Sequence, residues 1–500
     1  MSYVIDLSDI ERDGERSVTQ QLVDRFAELI DAGELQPGAK LPTTRALAEQ
    51  AGVNPLTAAR VYRRLGELGY TTATVGRGTF VRSRPPRSGA LGPDDDGWQL
   101  AALPPRTSSY AEQMLEESFR APDRTDVIRL SAGWPDPASF PRAAIEEAGR
   151  RILAERVDDV LSYQPVEGLL ELREAIAQLG ARHGFARDPG EIVVTTGAKQ
   201  ALDLAARALL EPGDVAVVES PTFTGTLSAL EGAGARLLPI PVDGDGADVG
   251  ALDRILARHE VKVVALQTSC HNPTGVELSA ERRARLLALA RERSFFVIED
   301  AVYSSLRFDG ERVPALRGEA PAHVVHVESL SKTVAGGLRI GWLAARGPVL
   351  ARMAQLKMNS DLHSPALMQL IAAGLLRDGY EQRVRASAEA YRERRDALLA
   401  ALDRHLRDAA TWTVPGGGHN LWVTLDRPVD ERALYAEALR EGVTFLPGGA
   451  TQAQPTGRTS LRLSFSLVDP ELFDEGARRL ARAVRAVHRR ARVAATGMIS

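Results

Sequence analysis

Residues 324–342 read VVHVESLSKTVAGGLRIGW, and they restrict the fold more tightly than any other stretch. A valine-rich run up to Glu328 has the pattern of a parallel strand buried on both faces. Ser329, Ser331 and Lys332 follow in a turn, then a Gly336-Gly337 pair and Arg339. A lysine just beyond the carboxyl end of a buried strand loses its proton readily through desolvation and can form an imine with an aldehyde. The serines and Arg339 suit a phosphate monoester, Arg339 through a forked, charge-assisted contact. An aldehyde and a phosphate on one small molecule describe pyridoxal 5′-phosphate. The competing reading is a surface lysine after a strand, so the other loops decide.

Those loops repeat the pattern. Candidate strands are Ile192–Thr195, Val215–Glu219, Arg236–Pro239, Val261–Gln267, Phe295–Glu299, Val324–Glu328 and Gly341–Ala345, with helical periodicity between many of them. Mostly continuous apolar runs predict an α/β body with a mainly parallel seven-stranded sheet covered on both faces. Ligands of such sheets bind beyond the carboxyl ends of the strands. There the chain places Gly197, Ala198 and Lys199 at the start of a helix, which suits an anion but equally a plain turn. It also places Phe223, Asn272, Asp300 and Tyr303 in such loops. Phe223 alone reads as a core residue. Asp300 can pair with a protonated pyridine nitrogen and keep the ring an electron sink. Arg462, in SLRLSFS, is a strand-edge arginine or a carboxylate clamp.

The amino-terminal part is organised differently. Leu22, Val23, Phe26, Leu29 and Ile30 recur at helical spacing over 18–32. Thr43 or Thr44 caps a second helix that stops at Gly52. Asn54 caps a third, with Pro55 at its first position. In that helix Ala58, Val61, Leu65 and Leu68 share one face, opposite Thr57, Arg60 and Arg64. Residues 71–81 read as two short strands around Gly76-Arg77-Gly78. Two short helices and a hairpin make a winged helix-turn-helix, whose second helix enters the major groove of DNA. Between 36 and 82 seven basic residues face two acidic ones, which supports a local DNA patch; the alternative is a solvated helix face. Residues 1–82 are thus a DNA-binding domain, 83–109 a proline-, glycine- and aspartate-rich linker, and 110–500 the α/β body.

A net charge of −4 argues against a chain that coats nucleic acid along its whole length. The lone cysteine, Cys270, forbids an intrachain disulfide and fits a reducing cytoplasm. No signal peptide and no membrane-spanning apolar run is evident. No metal site is expected: Asp243-Gly244-Asp245-Gly246 starts like a calcium loop, but Asp248 and Arg254 occupy its sixth and twelfth positions. His271 reads as hydrogen-bonded within a turn in preference to a catalytic base.

PGAKLPTTRALAEQAGVNPLTAARVYRRLGELGYTTATVGRGTFV resembles the DNA-binding domain of the GntR family. The resemblance implies that Arg45, Asn54, Thr57, Arg60, Arg63, Arg77 and Gly78 lie at the DNA. Many relatives carry Ser-Arg-Asn-Thr where this chain has Asn54-Pro55-Leu56-Thr57, so an arginine often used for base reading is absent. The loops of the body resemble fold-type I pyridoxal phosphate enzymes of the aminotransferase class I and II kind, with a smaller α+β domain beside the main sheet. That resemblance implies an imine at Lys332 and a pyridine partner in Asp300. It implies a ring hydroxyl bonded by Asn272 and Tyr303, and a phosphate held by Gly197, Ala198, Lys199, Ser329, Ser331 and Arg339. Phe223 would stack on the ring and Arg462 would clamp a carboxylate. Tyr163 would reach the phosphate of the other subunit of a homodimer. The usual proline before Gly337 is Gly336 here. Head, linker and body in this order resemble the MocR/GabR group of regulators, which implies a DNA-binding protein sensing a small amine or amino acid. A working aminotransferase carrying a DNA-binding head is the alternative.

Overall fold

The computed structural model describes residues 17–31, 34–35, 39–68, 70–74, 78–81, 126–309 and 312–497. The chain divides into two units, Met1–Thr107 and Ser108–Ser500.

In the first unit three helices, α1 (Val18–Asp31), α2 (Thr44–Ala51) and α3 (Pro55–Glu67), enclose one apolar core. Their ends follow local chemistry. The Thr43 hydroxyl accepts from the Ala46 N–H at 3.2 Å, and Gly52 ends α2 in the left-handed region at φ 61°. Asn54 Oδ1 accepts from the Leu56 N–H at 2.8 Å, with Pro55 as the first helical residue. Leu22, Phe26, Leu47, Val61 and Leu65 are fully buried. The Tyr62 ring meets Phe26 edge-on at 5.9 Å, and its hydroxyl donates to the Pro42 carbonyl at 2.7 Å. Leu68, expected on the buried face of α3, is 37% exposed because the helix has already ended at Glu67. Strands β1 (Thr71–Thr74) and β2 (Gly78–Val81) pair antiparallel as the wing. Gly78 has φ +120°, and a Cβ there would lie 2.8 Å from Lys40 Cε, so the start of β2 requires glycine.

In the second unit the strands are β3 (Ile128–Arg129), β4 (Ile192–Thr195), β5 (Val215–Ser220), β6 (Arg236–Asp243), β7 (Gly246–Ala247), β8 (Val261–Leu266), β9 (Phe296–Asp300), β10 (Val324–Ser329) and β11 (Gly341–Ala344). All but β3 form one sheet in the order β4-β11-β10-β9-β8-β5-β6-β7, with β11 and β7 antiparallel to their neighbours. The seven expected strands are present. The eighth, β7, is two residues long and too short to show periodicity. It is formed by the tight turn at Asp243–Gly246, where Asp243 accepts both Nη atoms of Arg282 at 2.7 and 2.8 Å. One face packs Val193, Val218, Val263, Ile298 and Val327 against the helix Ala198–Leu209; the other packs Val217, Val264 and Val297 against Ala280–Arg293. Continuous apolar strands are the consequence of cover on both faces. A smaller antiparallel sheet joins β12 (Ala410–Trp412), β13 (Asn420–Leu425), β16 (Ser460–Ser464) and β15 (Leu446–Pro447), while β14 (Val443–Thr444) pairs parallel with β3. Among the described residues no helix is long and apolar enough to cross a membrane.

Candidate functional site

The carboxyl ends of the parallel strands and the edge of the smaller sheet enclose a cavity of ≈ 570 Å³. Ala198, Lys199, Phe223, Asn272, Tyr303, Ser329, Ser331, Lys332, Arg339 and Arg462 all line it. Lys332 Nζ donates to the Gly133 carbonyl at 2.8 Å and lies 5.7 Å from the centre of the Tyr303 ring. Burial, then the nearby Arg462 guanidinium, lowers the Lys332 amine to about 8, with Asp300 pulling weakly the other way.

Asp300 ends β9 behind this wall and is buried. Burial pushes its carboxyl up to about 6 against the hydrogen bond from Gln267. Gln267, just past β8, was not singled out in the sequence, yet it ties the site together. Its Nε2 donates to Asp300 Oδ2 at 2.8 Å, and its Oε1 accepts from the Asn272 N–H at 2.6 Å. Its own N–H donates to buried Glu219 at 2.8 Å. The signal available was its position, the first polar residue at the end of an apolar strand. His271 lies outside the chemistry: Nδ1 meets the Thr274 hydroxyl at 2.7 Å and Nε2 faces Glu219 at 3.2 Å.

Glycine shapes the anion side. Gly197 has φ +124°, and a Cβ on it would fall 2.7 Å from Arg339 Nη2. A Cβ on Gly341 would fall 2.7 Å from Gly197 itself. Ser329 Oγ donates to Ser331 Oγ at 2.8 Å beside them. On the opposite side Arg462, on β16, reaches from the smaller sheet. Its Nη2 donates to the Ser131 carbonyl at 2.6 Å and its Nη1 to Asn272 Oδ1 at 3.3 Å, while Nε has no partner among the described residues. His419, also missed in the sequence, sits between Tyr303 and Tyr391 at 5.2 and 4.5 Å between ring centres. Burial, then the Lys332 charge, hold its imidazole well below the ordinary value. Tyr163 is not at the cavity: it is 86% exposed, against His363.

Beneath the sheet lies a second polar group that valine-rich β10 concealed. His326 joins Glu299 at 3.0 Å and Glu328 at 3.2 Å. Arg312 donates to both Glu328 oxygens at 3.0 and 2.8 Å. Although burial opposes it, Arg312 and His326 hold the Glu328 carboxyl down at about 2.

In the head, Arg45, Arg60 and Arg63 are exposed and Thr57 is half-buried. Asn54 is exposed too, but its Oδ1 serves as the cap of α3. Gly78 is exposed at the start of the wing, and Arg77 lies outside the described residues.

A helix-turn-helix head followed by a fold-type I body with a lysine-centred cavity defines the class. Residues 125–480 match the family Aminotransferase class I and II, and residues 18–81 match Bacterial regulatory proteins, gntR family. The uncharacterized HTH-type transcriptional regulator YdfD of Bacillus subtilis is 30% identical, over 91% of this chain and 94% of that protein. The probable rhizopine catabolism regulatory protein MocR of Rhizobium meliloti is 28% identical, over 93% and 94%. The crystal structure of LysN, an α-aminoadipate aminotransferase of Thermus thermophilus complexed with N-(5′-phosphopyridoxyl)-L-leucine, superposes with TM-score 0.70 at 34% identity, over 75% of this chain and 95% of that one. The chain belongs to the aminotransferase class I and II family, in the MocR-like form in which that domain follows a gntR-type DNA-binding head.

Proposed function

We propose that the chain is a pyridoxal phosphate-dependent transcriptional regulator whose head binds double-stranded operator DNA and whose body senses a small amine or amino acid. The observation that carries this is that one chain holds both a helix-turn-helix with exposed arginines on α3 and a body whose cavity gathers a desolvated lysine, Ser329, Ser331 and Arg339, and a second arginine, Arg462. The residues fit the cofactor. Gly197 holds φ +124° beside Arg339, a backbone conformation that L side chains rarely adopt, and the buried Asp300 carboxyl at about 6 favours a cationic partner. When bound, pyridoxal phosphate supplies an aldehyde that condenses with primary amines and a ring that withdraws electrons from the condensed carbon.

Each protein group then has a task. Gly197, Ala198, Lys199, Ser329, Ser331 and Arg339 would hold the phosphate. Asp300 would pair with the ring nitrogen, Asn272 and Tyr303 with the ring hydroxyl, and Phe223 would cover a ring face. Lys332 would carry the cofactor covalently; its Nζ, lowered to about 8, is a usable base near neutral pH. Arg462 would bind the effector's carboxylate. Tyr163, exposed on its own subunit, would serve the phosphate of the second subunit of a homodimer. Arg45, Asn54, Thr57, Arg60, Arg63, Arg77 and Gly78 would lie at the DNA, in the cytoplasm, where such a regulator meets its operator. The domains run 1–82, 83–109 and 110–500.

The test is binding to the chain's own upstream DNA against a scrambled duplex at one salt concentration, with and without pyridoxal phosphate. Fixed salt is needed because phosphate contacts alone give non-specific binding. Preference for the upstream DNA that changes with the cofactor supports the reading. No preference in either state, with rapid multiple turnover of an amino acid and a keto acid, makes the protein an aminotransferase instead.

A further inference from the structure

Gln267 lines the cavity and bridges the two residues assigned to the ring nitrogen and the ring hydroxyl of the cofactor. Both of its amide atoms are already engaged. Oε1 accepts from the Asn272 N–H at 2.6 Å, and Nε2 donates to Asp300 Oδ2 at 2.8 Å. We propose that Gln267 is a positioning residue that presents Asp300 to the ring nitrogen as an oriented anion and ties that contact to the Asn272 loop. This inference rests on the cofactor-dependent reading of the same cavity.

The bonding pattern fixes which way the amide points. A backbone N–H can only donate, so the atom facing Asn272 must be the oxygen, and the NH2 end must face the Asp300 carboxylate. The root of the side chain is held as well, because the Gln267 N–H donates to buried Glu219 at 2.8 Å. The other Asp300 oxygen accepts from the Val302 N–H at 3.3 Å. Donors at both oxygens favour the carboxylate over the carboxylic acid. Burial pushes the Asp300 carboxyl upward, and the Gln267 hydrogen bond is the largest effect opposing it, ahead of the Val302 N–H. Gln267, Asn272 and Asp300 are all buried, so bulk water does not replace a lost partner. With both amide atoms committed, Gln267 acts on the cofactor through its two neighbours.

The experiment is equilibrium dialysis of the full-length, cofactor-free chain against pyridoxal phosphate and against its analogue with a ring C–H in place of the nitrogen. Wild type, Gln267→Met and Gln267→Asn are compared. The analogue keeps the aldehyde, hydroxyl and phosphate but offers Asp300 no N–H. A hydrogen bond to a charged partner predicts that the wild type prefers pyridoxal phosphate about tenfold or more. Methionine has the length of glutamine without its polar atoms, and asparagine keeps the amide but is one methylene too short to reach both partners. Each variant is expected to reduce the preference to about threefold or less, a ratio that a general loosening of the cavity would leave unchanged. Retention of the wild-type preference in either variant overturns the assignment alone. Failure of both variants to bind either compound makes Gln267 a structural residue and also overturns it. Equal affinities in the wild type overturn the pairing of Asp300 with the ring nitrogen, and this inference with it.

Discussion

Lys332 offers the sharpest quantitative check, because its amine can be titrated without any assay of function. Burial and Arg462 lower it from 10.5 to about 8. At pH 7.5 about a quarter of such an amine is neutral, against about one in a thousand at 10.5. The neutral form is the nucleophile, so near neutral pH Lys332 is about two hundred times richer in reactive amine than an unperturbed lysine. The chain has only five lysines, Lys40, Lys199, Lys262, Lys332 and Lys357. A short pulse of acetic anhydride on the cofactor-free protein, read peptide by peptide by mass spectrometry, therefore follows each one. Exposed Lys262 corrects for the reagent at each pH. Labelling of Lys332 is expected to rise with pH with a midpoint at about pH 8. In Arg462→Met one of the two lowering causes is gone, and the midpoint should move upward. A midpoint near 10 in the wild type, or no movement in Arg462→Met, refutes the electrostatic account.

Four further substitutions have expected outcomes. Gly197→Ala places a Cβ 2.7 Å from Arg339 at φ +124°, so equilibrium dialysis should show pyridoxal phosphate bound at least about tenfold more weakly, with little change in DNA affinity. Arg60→Gln should weaken DNA binding and reduce the slope of log affinity against log salt by about 1, if that arginine contacts a phosphate, whereas Asn54→Ala should cost about 1 kcal/mol of head stability through the lost cap. Glu328→Gln leaves Arg312 and His326 without their shared anion in the core, and denaturant unfolding should show a loss of about 3 kcal/mol. Because the Glu328 carboxyl is depressed to about 2, its contribution is present above the ordinary carboxylate range and disappears as pH falls through about 2. The difference between wild type and Glu328→Gln should shrink in acid.

What could be read beforehand was chemistry confined to neighbouring residues. Asn54-Pro55 announces a helix start, and the structure uses Asn54 Oδ1 for that cap. The polar turns after apolar strands announce a rim, and ten of the expected residues line one cavity. What escaped depends on partners far along the chain. Gln267 is informative only once Asn272 and Asp300 are known to flank it. Arg129 faces the cavity from a two-residue strand paired with residues 443–444, which no local pattern signals. His326 interrupts a valine run, and its purpose emerges only with Glu299 and Arg312 placed around it. Leu68 shows the converse, a helical period that continues in the sequence after the helix has stopped.

Arg462 links two parts of the body beside the cavity. It belongs to the smaller sheet, yet it donates to Ser131 on the amino-terminal segment of the body and to Asn272 in a loop of the larger sheet. On the proposed reading, an effector carboxylate that takes guanidinium N–H groups would compete with those two bonds. Magnitude limits the consequence. Reversing a 1:99 equilibrium between two arrangements of the DNA-binding heads to 99:1 requires about a 10⁴-fold preference of the bound effector for one of them. A single charge-assisted contact, worth about ten- to a hundredfold, is insufficient. On the proposed reading, a complete switch therefore needs more than one such contact, with Lys332 and Arg462 acting on one ligand together.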